Sequence, residues 1–515
     1  MGGPPAPPAA SAVSAPADGL GLGAEINGGA ESVADLLALP PDALPRSDLF
    51  FRLARAHFRA AVSASAGYPL NPADPASSPA GGANDAGGGG DLNDNSSDEA
   101  LAFDVVRNAI QPSERPDHVP SLILASVICA RRDTWSEEGV RYGERAVELA
   151  ASSGPQRAKA LHALGVNLLL LSRNHYVSAA RRELTLKRAV ESLSQALEED
   201  ASSAAVMVDL ALALAEQRHV SEALKVAKSA LKAGGGQWLL TWQILALLLT
   251  CQQRFKDAED MCRVGEAAIK KAGGGAGGGG ADGGERGEGA RAALLVLRAK
   301  VQLASGGAGE EGGEGEGGAG VDGSGGVTVG VGDAVESLKQ AMAAVQSRQK
   351  RGEVGGSVTE AAVWQSLAEA YLVGGRAVDA DLCVAKCQTL DPYAADTWMV
   401  AGMLDGAKGR PQEALACYRS ALAIDQWHAA SKARLGALLL QMGGEWLHMA
   451  EVHLREVVSG DGFDARAWHV LGLVERGSGD VGAAAECFRR AMEAEETAPA
   501  VPFNTLRPIL PQLLL

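Results

Sequence analysis

The stretch WQSLAEAYLVGGRAVDADLCVAKCQTLDP, residues 364–392, returns as WMVAGMLDGAKGRPQEALACYRSALAID at 398–425 and as WHVLGLVERGSGDVGAAAECFRRAMEAEE at 468–496. Trp364 and Trp398 lie 34 residues apart; 34 more lead to Lys432, and a further 36 to Trp468. A period of this length holds two short helices and a turn, and it decides the architecture: one such unit cannot bury its own apolar face, so neighbours must stack.

Within each copy the large residues of the first helix fall at i, i+3 and i+7, while the second helix carries Ala, a large residue and Ala at i, i+4 and i+7. Trp364, Leu367, Ala368, Tyr371, Ala380 and Val384 meet the tetratricopeptide pattern, followed by Trp398, Ala401, Gly402, Ala414 and Tyr418, and by Trp468, Leu471, Gly472, Ala484 and Phe488. The unit between has Leu435, Gly436, Ala450 and Leu454. The same template finds Met207, Leu210, Ala211 and Ala223, then Trp242, Leu245, Ala246 and Ala258; Leu161, Leu164 and Gly165 open an earlier, lengthened unit. Small residues paired across the two helices (Gly402 with Ala414, Gly472 with Ala484) are expected to let the backbones approach. About nine helical pairs then form an all-α, right-handed tetratricopeptide-repeat superhelical solenoid, with a disordered N-terminal region and Gly-rich insertions.

Five segments follow. Residues 1–98 read as mostly disordered and low in complexity, with one helix near 47–63; residues 99–272 as helical repeats; 273–360 as a repeat interrupted by Gly-rich insertions (273–289 and 305–332); 361–498 as four tetratricopeptide repeats; and 499–515 as a C-terminal cap. Glycine and proline, 64 and 22 of 515 residues, exceed average usage without reaching that of a wholly disordered chain.

A net charge of −16 works against binding to phosphate backbones or anionic headgroups, so neither nucleic acid nor direct membrane insertion is expected. The most apolar run, residues 238–251, is too short to span a bilayer. The first basic residue is Arg46, which disfavours a secretory or mitochondrial leader, and seven cysteines without a C-x-x-C pair suit a reducing cytoplasm. No nucleophile elbow, kinase signature, phosphate loop or dinucleotide fingerprint occurs, so the chain reads as no enzyme and needs no cofactor. Cys383, Cys417 and Cys487 fill one equivalent slot of three units; stacking holds such slots apart, so they read as small core hydrophobes and no metal site is expected.

First-helix residues pointing away from the packing face form the candidate partner-binding inner wall: Gln365, Glu369, Leu372, Asp396, Met399, Met403, Leu440, Arg466, His469, Leu473 and Arg476. The slots that would hold Lys and Asn in a carboxylate clamp hold Gln365/Glu369, Met399/Met403 and His469/Leu473 instead. Methionines and leucines flanked by charge suit an apolar helix or loop of a partner protein. Arg181, Arg182, Lys187 and Arg188, interleaved with Leu184, Leu186 and Val190, form a basic amphipathic stretch: a calmodulin target, a partner contact or a solvated helix face. Pro499, Val501, Pro502 and Phe503 form the candidate C-terminal cap, expected to cover the exposed end of the last unit around Leu471 and Phe488, with a place in a partner surface as the alternative.

VPSLILASVICA (119–130), ALHALGVNLLL (160–170), CQQRFKDAE (251–259) and above all TAPAVPFNTLRPIL (497–510) resemble, in that order, the tetratricopeptide-repeat protein 7 family, whose plant relatives are the no-pollen-germination proteins. The resemblance covers about residues 101–510 and implies a non-catalytic scaffold. Such family members hold phosphatidylinositol 4-kinase alpha at the plasma membrane together with a palmitoylated membrane-anchoring subunit and a hyccin-type subunit, and the plant relatives are calmodulin binders. It thus implies a cytoplasmic protein, peripheral to the plasma membrane through its partners. It does not extend to the family's longer helical N-terminal half, or to the part of kinase docking made through it.

Overall fold

In a computed structural model, residues 52–55, 117–131, 135–150, 154–174, 177–234, 236, 238–273, 282–307, 325–350, 358–460 and 463–509 are described. Besides the helical residues 52–55, eighteen α-helices lie among them, with no strand: α1 (Val119–Cys129), α2 (Ser136–Leu149), α3 (Gly154–Ser172), α4 (Ala179–Glu199), α5 (Ala204–Glu216), α6 (Val220–Lys232), α7 (Leu239–Cys251), α8 (Phe255–Gly273), α9 (Asp282–Gly307), α10 (Gly325–Lys350), α11 (Glu360–Val373), α12 (Ala377–Leu390), α13 (Ala395–Ala407), α14 (Pro411–Ile424), α15 (Ala429–Met442), α16 (Trp446–Gly460), α17 (Ala465–Ser478) and α18 (Val481–Glu496). Each odd-numbered helix packs against the even-numbered helix that follows it, giving nine hairpins in a tetratricopeptide-repeat solenoid.

The spacing of small and large residues explains each hairpin. A Cβ built on Gly402 would lie 2.7 Å from the Tyr418 ring, one on Gly472 2.7 Å from Phe488, one on Gly436 2.6 Å from Leu454 and one on Gly165 2.6 Å from Leu193. The first-helix glycine therefore receives the large residue of the second helix, rather than the alanine four positions before it, and any side chain there would force the pair apart. Lys432, standing where other units have Trp, is buried because its ammonium reaches Glu456 Oε2 at 2.6 Å and lies 4.8 Å from the centre of the Trp427 ring. Asp464 and Asp480 cap α17 and α18 by accepting the amides of Ala467 and Ala483.

Successive first helices also touch one another (α11 with α13, α13 with α15, α15 with α17), whereas successive second helices make no comparable contact among the described residues. The first helices therefore line the inside of the curve as one continuous wall.

Two expectations need correction. The Gly-rich tracts are not wholly outside the helices: α9 begins at Asp282 and runs to Gly307, and α10 begins at Gly325. The close approach of these two helices is what glycine permits, since a Cβ on Gly330 would lie 3.1 Å from the carbonyl oxygen of Gln302. The three repeat tryptophans are half-buried rather than core residues: Trp398 donates to the Pro392 carbonyl at 2.8 Å, and the Arg490 guanidinium lies over Trp468 at 4.9 Å. Of the expected 47–63 helix, only residues 52–55 are described; they are helical, and Ala54 joins the buried cluster that α1, α2 and α3 share. The rest of that helix, and the expected disorder of 1–98, lie outside the described residues.

Candidate functional site

On the wall of the C-terminal units the candidate residues divide by exposure. Asp396, Arg466, His469 and Arg476 are exposed, and Gln365, Glu369, Leu372, Met403, Leu440 and Leu473 are half-buried. Met399 is a correction: it is buried in the core with Val400 and Leu404, because its position turns it into the groove between helices and leaves Met403, one turn on, at the wall. Gln365 reaches across to Thr397, donating to its hydroxyl at 3.1 Å, and His428 Nε2 lies 3.1 Å from Asp396 Oδ1, so neighbouring first helices are cross-tied by polar side chains. Burial, joined by the charge of Arg466, pushes the Arg434 guanidinium below its usual range. This wall is a mixed surface, apolar at Leu372, Met403, Leu440 and Leu473 and charged between them.

The wall of the N-terminal units differs. Apart from Met207, every residue of α5 from Ala205 to Ala215 is buried, and apart from Gln243 so is every residue of α7 from Leu240 to Cys251. The chain's own C-terminal segment supplies the cover. After α18 ends at Glu496, Pro499 and Pro502 prevent further helix, a 3₁₀ turn forms at Phe503–Thr505, and Phe503, Leu506 and Ile509 join the same core as Leu168, Leu210, Leu212 and Leu248. The candidate cap at Pro499, Val501, Pro502 and Phe503 therefore does not close the last unit, as the sequence suggested; it lies across the first-helix wall of α3, α5 and α7. Leu471 is buried by its own unit, and the Phe488 ring rests on Gly472 and near His469 (5.6 Å between centroids). The last unit thus meets less need than the apolar wall that the superhelix brings opposite its end.

Polar anchors hold the segment. Asp209 Oδ1 accepts the Ile509 amide at 2.8 Å, while its Oδ2 lies 2.8 Å from His162 Nε2; both side chains are buried. Thr250 Oγ1 accepts the Ala500 amide at 3.1 Å. Arg173, braced by Glu216, donates Nη1 to the Leu506 carbonyl at 2.8 Å, and Arg218 donates Nη1 to the Thr497 carbonyl at 3.0 Å. The Arg218 guanidinium also lies 5.0 Å from the Phe463 ring centre and 5.7 Å from that of Phe503, tying the α16–α17 turn and the tail to the α5–α6 turn. Arg182 donates to the Ser459 carbonyl at the end of α16 at 2.7 Å.

Sequence reading missed these anchors. One signal could have found them: Asp209 is the only charge in AAVMVDLALALA (204–215), and a carboxylate on a helix that is apolar all round must be buried and paired.

The basic stretch is spent within the molecule. Besides Arg182, Arg188 pairs with Glu144 (2.7 Å), Lys187 with Glu183 (2.7 Å) and Arg181 with Glu137 (3.7 Å). Six of the seven cysteines are buried and Cys417 partly so; burial pushes the thiols of Cys129, Cys262 and Cys387 up to about 12. Among the described residues no helix is long and apolar enough to cross a membrane.

Comparison with known proteins agrees with this architecture. Residues 465–497 match the tetratricopeptide repeat family. The chain is 29% identical over 419 residues to Protein NPGR2 of Arabidopsis thaliana, covering 78% of this chain and 51% of that protein, and 25% identical over 449 residues to Tetratricopeptide repeat protein 7B of Homo sapiens, covering 81% and 51%. The chain thus spans about half the length of the curated relatives it matches. Among solved structures, the crystal structure of Ypp1 superposes with a TM-score of 0.51 at 12% identity, over 79% of this chain and 56% of that one, a likeness of fold.

Proposed function

We propose that this chain is a non-catalytic scaffold that serves a phosphatidylinositol 4-kinase alpha complex, helping to hold the kinase at the plasma membrane through partner proteins. The observation that carries the reading is the contrast between walls: the C-terminal wall is open and mixed, with Met403, Leu440 and Leu473 set among Asp396, Arg466 and Arg476, a surface suited to an amphipathic helix or loop of a partner. The choice of complex rests on the resemblance to the tetratricopeptide-repeat protein 7 family, with which the likeness to Tetratricopeptide repeat protein 7B agrees. In this reading the chain has no catalytic group and needs no cofactor; it is cytoplasmic and reaches the membrane only through its partners.

Affinity purification of the tagged full chain followed by mass spectrometry tests the proposal. Recovery of the kinase, a palmitoylated anchor or a hyccin-type subunit is expected, as is its loss when Met403 and Leu473 are changed to Glu with melting unaltered. Prey containing none of the three would overturn the lipid-kinase reading. A calmodulin-dominated set would point to an adaptor of another complex, although the four cations of the basic stretch would first have to leave their present partners.

A further inference from the structure

We propose that the first-helix wall of α3, α5 and α7 is a peptide-recognition site, and that residues 497–509 are its resident and exchangeable ligand. The inference is independent of the kinase reading. Between residues 497 and 509 the local bonds are those of the Ala498 amide to the Glu495 carbonyl, of the Thr505 amide and hydroxyl to the Pro502 carbonyl, and of the Leu506 amide to the Phe503 carbonyl. Its other anchors come from side chains of the wall: Asp209 and Thr250 accept the amides of Ile509 and Ala500, and Arg173 and Arg218 donate to the carbonyls of Leu506 and Thr497. Binding main-chain amides and carbonyls with fixed side chains while an apolar surface takes Phe503, Leu506 and Ile509 is how groove proteins hold peptides, not how one repeat packs on the next.

The anchors are held in place by the repeats themselves. His162 orients the Asp209 carboxylate and Glu216 braces Arg173, so neither depends on the tail for its position. Among the described residues the nine hairpins pair without the tail, so it can lift without unpairing any helix. The ligand class follows from the contacts: a proline-bearing peptide that makes one 3₁₀ turn and carries large apolar residues three apart (Phe503, Leu506 and Ile509 in the resident copy), its prolines keeping it from forming an α-helix. Tethering gives the resident copy a high effective concentration, so a free peptide competes poorly until the resident contacts are weakened.

The test uses the full chain and a fluorescent peptide of residues 497–515. The unmodified protein is expected to bind the peptide weakly. The tail variant F503A/I509A, which weakens the resident ligand and leaves every repeat residue in place, is expected to bind it at least about tenfold more tightly, and adding R218A should reverse that gain. Mere destabilisation cannot produce tighter binding that a wall residue then abolishes. Equal affinity in the parent and the folded tail variant overturns the proposal. Should that variant aggregate, amide exchange on the unmodified chain decides: Ala500 and Ile509 exchanging faster than the amides of α5 and α7 supports a ligand that lifts, and equal protection makes the tail a permanent part of the core.

Discussion

The two ends of the superhelix use the same helix pair to opposite purposes. In α17 the wall positions are Arg466, His469, Leu473 and Arg476, polar enough to face water; the equivalent positions are Ala205, Val208, Leu212 and Ala215 in α5 and Leu240, Gln243, Leu247 and Thr250 in α7, all buried except the half-buried Gln243. A first helix that is apolar on one stripe can end its packing at the wall, but one apolar all round requires a cover. The position of the tail is the consequence: it lies where the uncovered apolar wall is, not at the nearest end of the array.

The largest effect should come from removing that cover. Deleting residues 499–515 takes away Phe503, Leu506 and Ile509, each worth about 1.5–3 kcal/mol when buried, and leaves Asp209 without one of its partners. A loss of roughly 5 kcal/mol is expected locally, allowing for a compact unfolded state. Amide exchange should accelerate in α5 and α7, 250 to 300 residues from the deletion by the Ala500–Thr250 and Ile509–Asp209 bonds, while α17 and α18 keep their protection. Acceleration confined to α17 and α18 would restore a cap on the last unit.

Tryptophans sharpen the comparison. Trp242, on the covered side, is buried, donates to the Gly236 carbonyl at 2.8 Å, and fills the space beside Gly265, where a Cβ would lie 2.8 Å from its ring. Its replacement by Ala should cost about 4 kcal/mol. Trp468 is half-buried beneath Arg490, and Trp468→Ala should cost about 2 kcal/mol, part of it the cation–π contact. Chemical denaturation followed by helical circular dichroism separates the two; equal losses would deny that the two tryptophans are differently buried.

Carboxylates should divide the same way. Asp209→Ala strands a buried His162 and the Ile509 amide and should cost about 3 kcal/mol. Asp396, 59% exposed on the open wall, should cost under about 1 kcal/mol when changed to Ala. Comparable losses in denaturant melts would sink the distinction.

The repeat was legible because its cause is local: a glycine and a large residue, such as Gly472 and Phe488, must coincide across one turn, and a 34-residue period records it. The destination of the tail was not, because Ile509 meets Asp209 only after the superhelix has curved through several units, and periodicity says nothing about curvature. Met399 failed on a finer scale: four residues before Met403, it lies only about 40° away round the same side of the helix, and that small rotation takes it into the core while Met403 stays at the wall. Helix entering the glycine tracts was hidden for a third reason: the packing of α9 on α10 overrides the poor propensity of Gly325 and its neighbours.

The smallest expected effect belongs to the open wall and depends on pH. His428, at the start of α15, holds the Ser431 hydroxyl 2.6 Å from Nδ1 and the Asp396 carboxylate 3.1 Å from Nε2. Burial alone would lower the imidazole, but the hydrogen bond and charge of Asp396 outweigh it and hold His428 above its ordinary 6.5, while the hydrogen bond to His428 holds Asp396 below its ordinary 3.8. A raised histidine contributes fully below its ordinary value and loses its contribution as pH rises through the raised one; a depressed carboxylate contributes above its ordinary value and loses it as pH falls. The pair therefore ties α13 to α15 best between about pH 4 and 6.5 and weakens above that window. His453, which burial pushes below 6.5, works in the opposite sense, losing stability as pH falls, so the parent's total profile mixes the two. The difference between the parent and His428→Gln isolates the pair. That difference in urea midpoint should be largest near pH 5.5 and shrink by pH 8, by less than about 1 kcal/mol because solvent screens a half-exposed partner. A difference that stays constant across this range would show that His428 and Asp396 share a hydrogen bond without sharing a proton equilibrium.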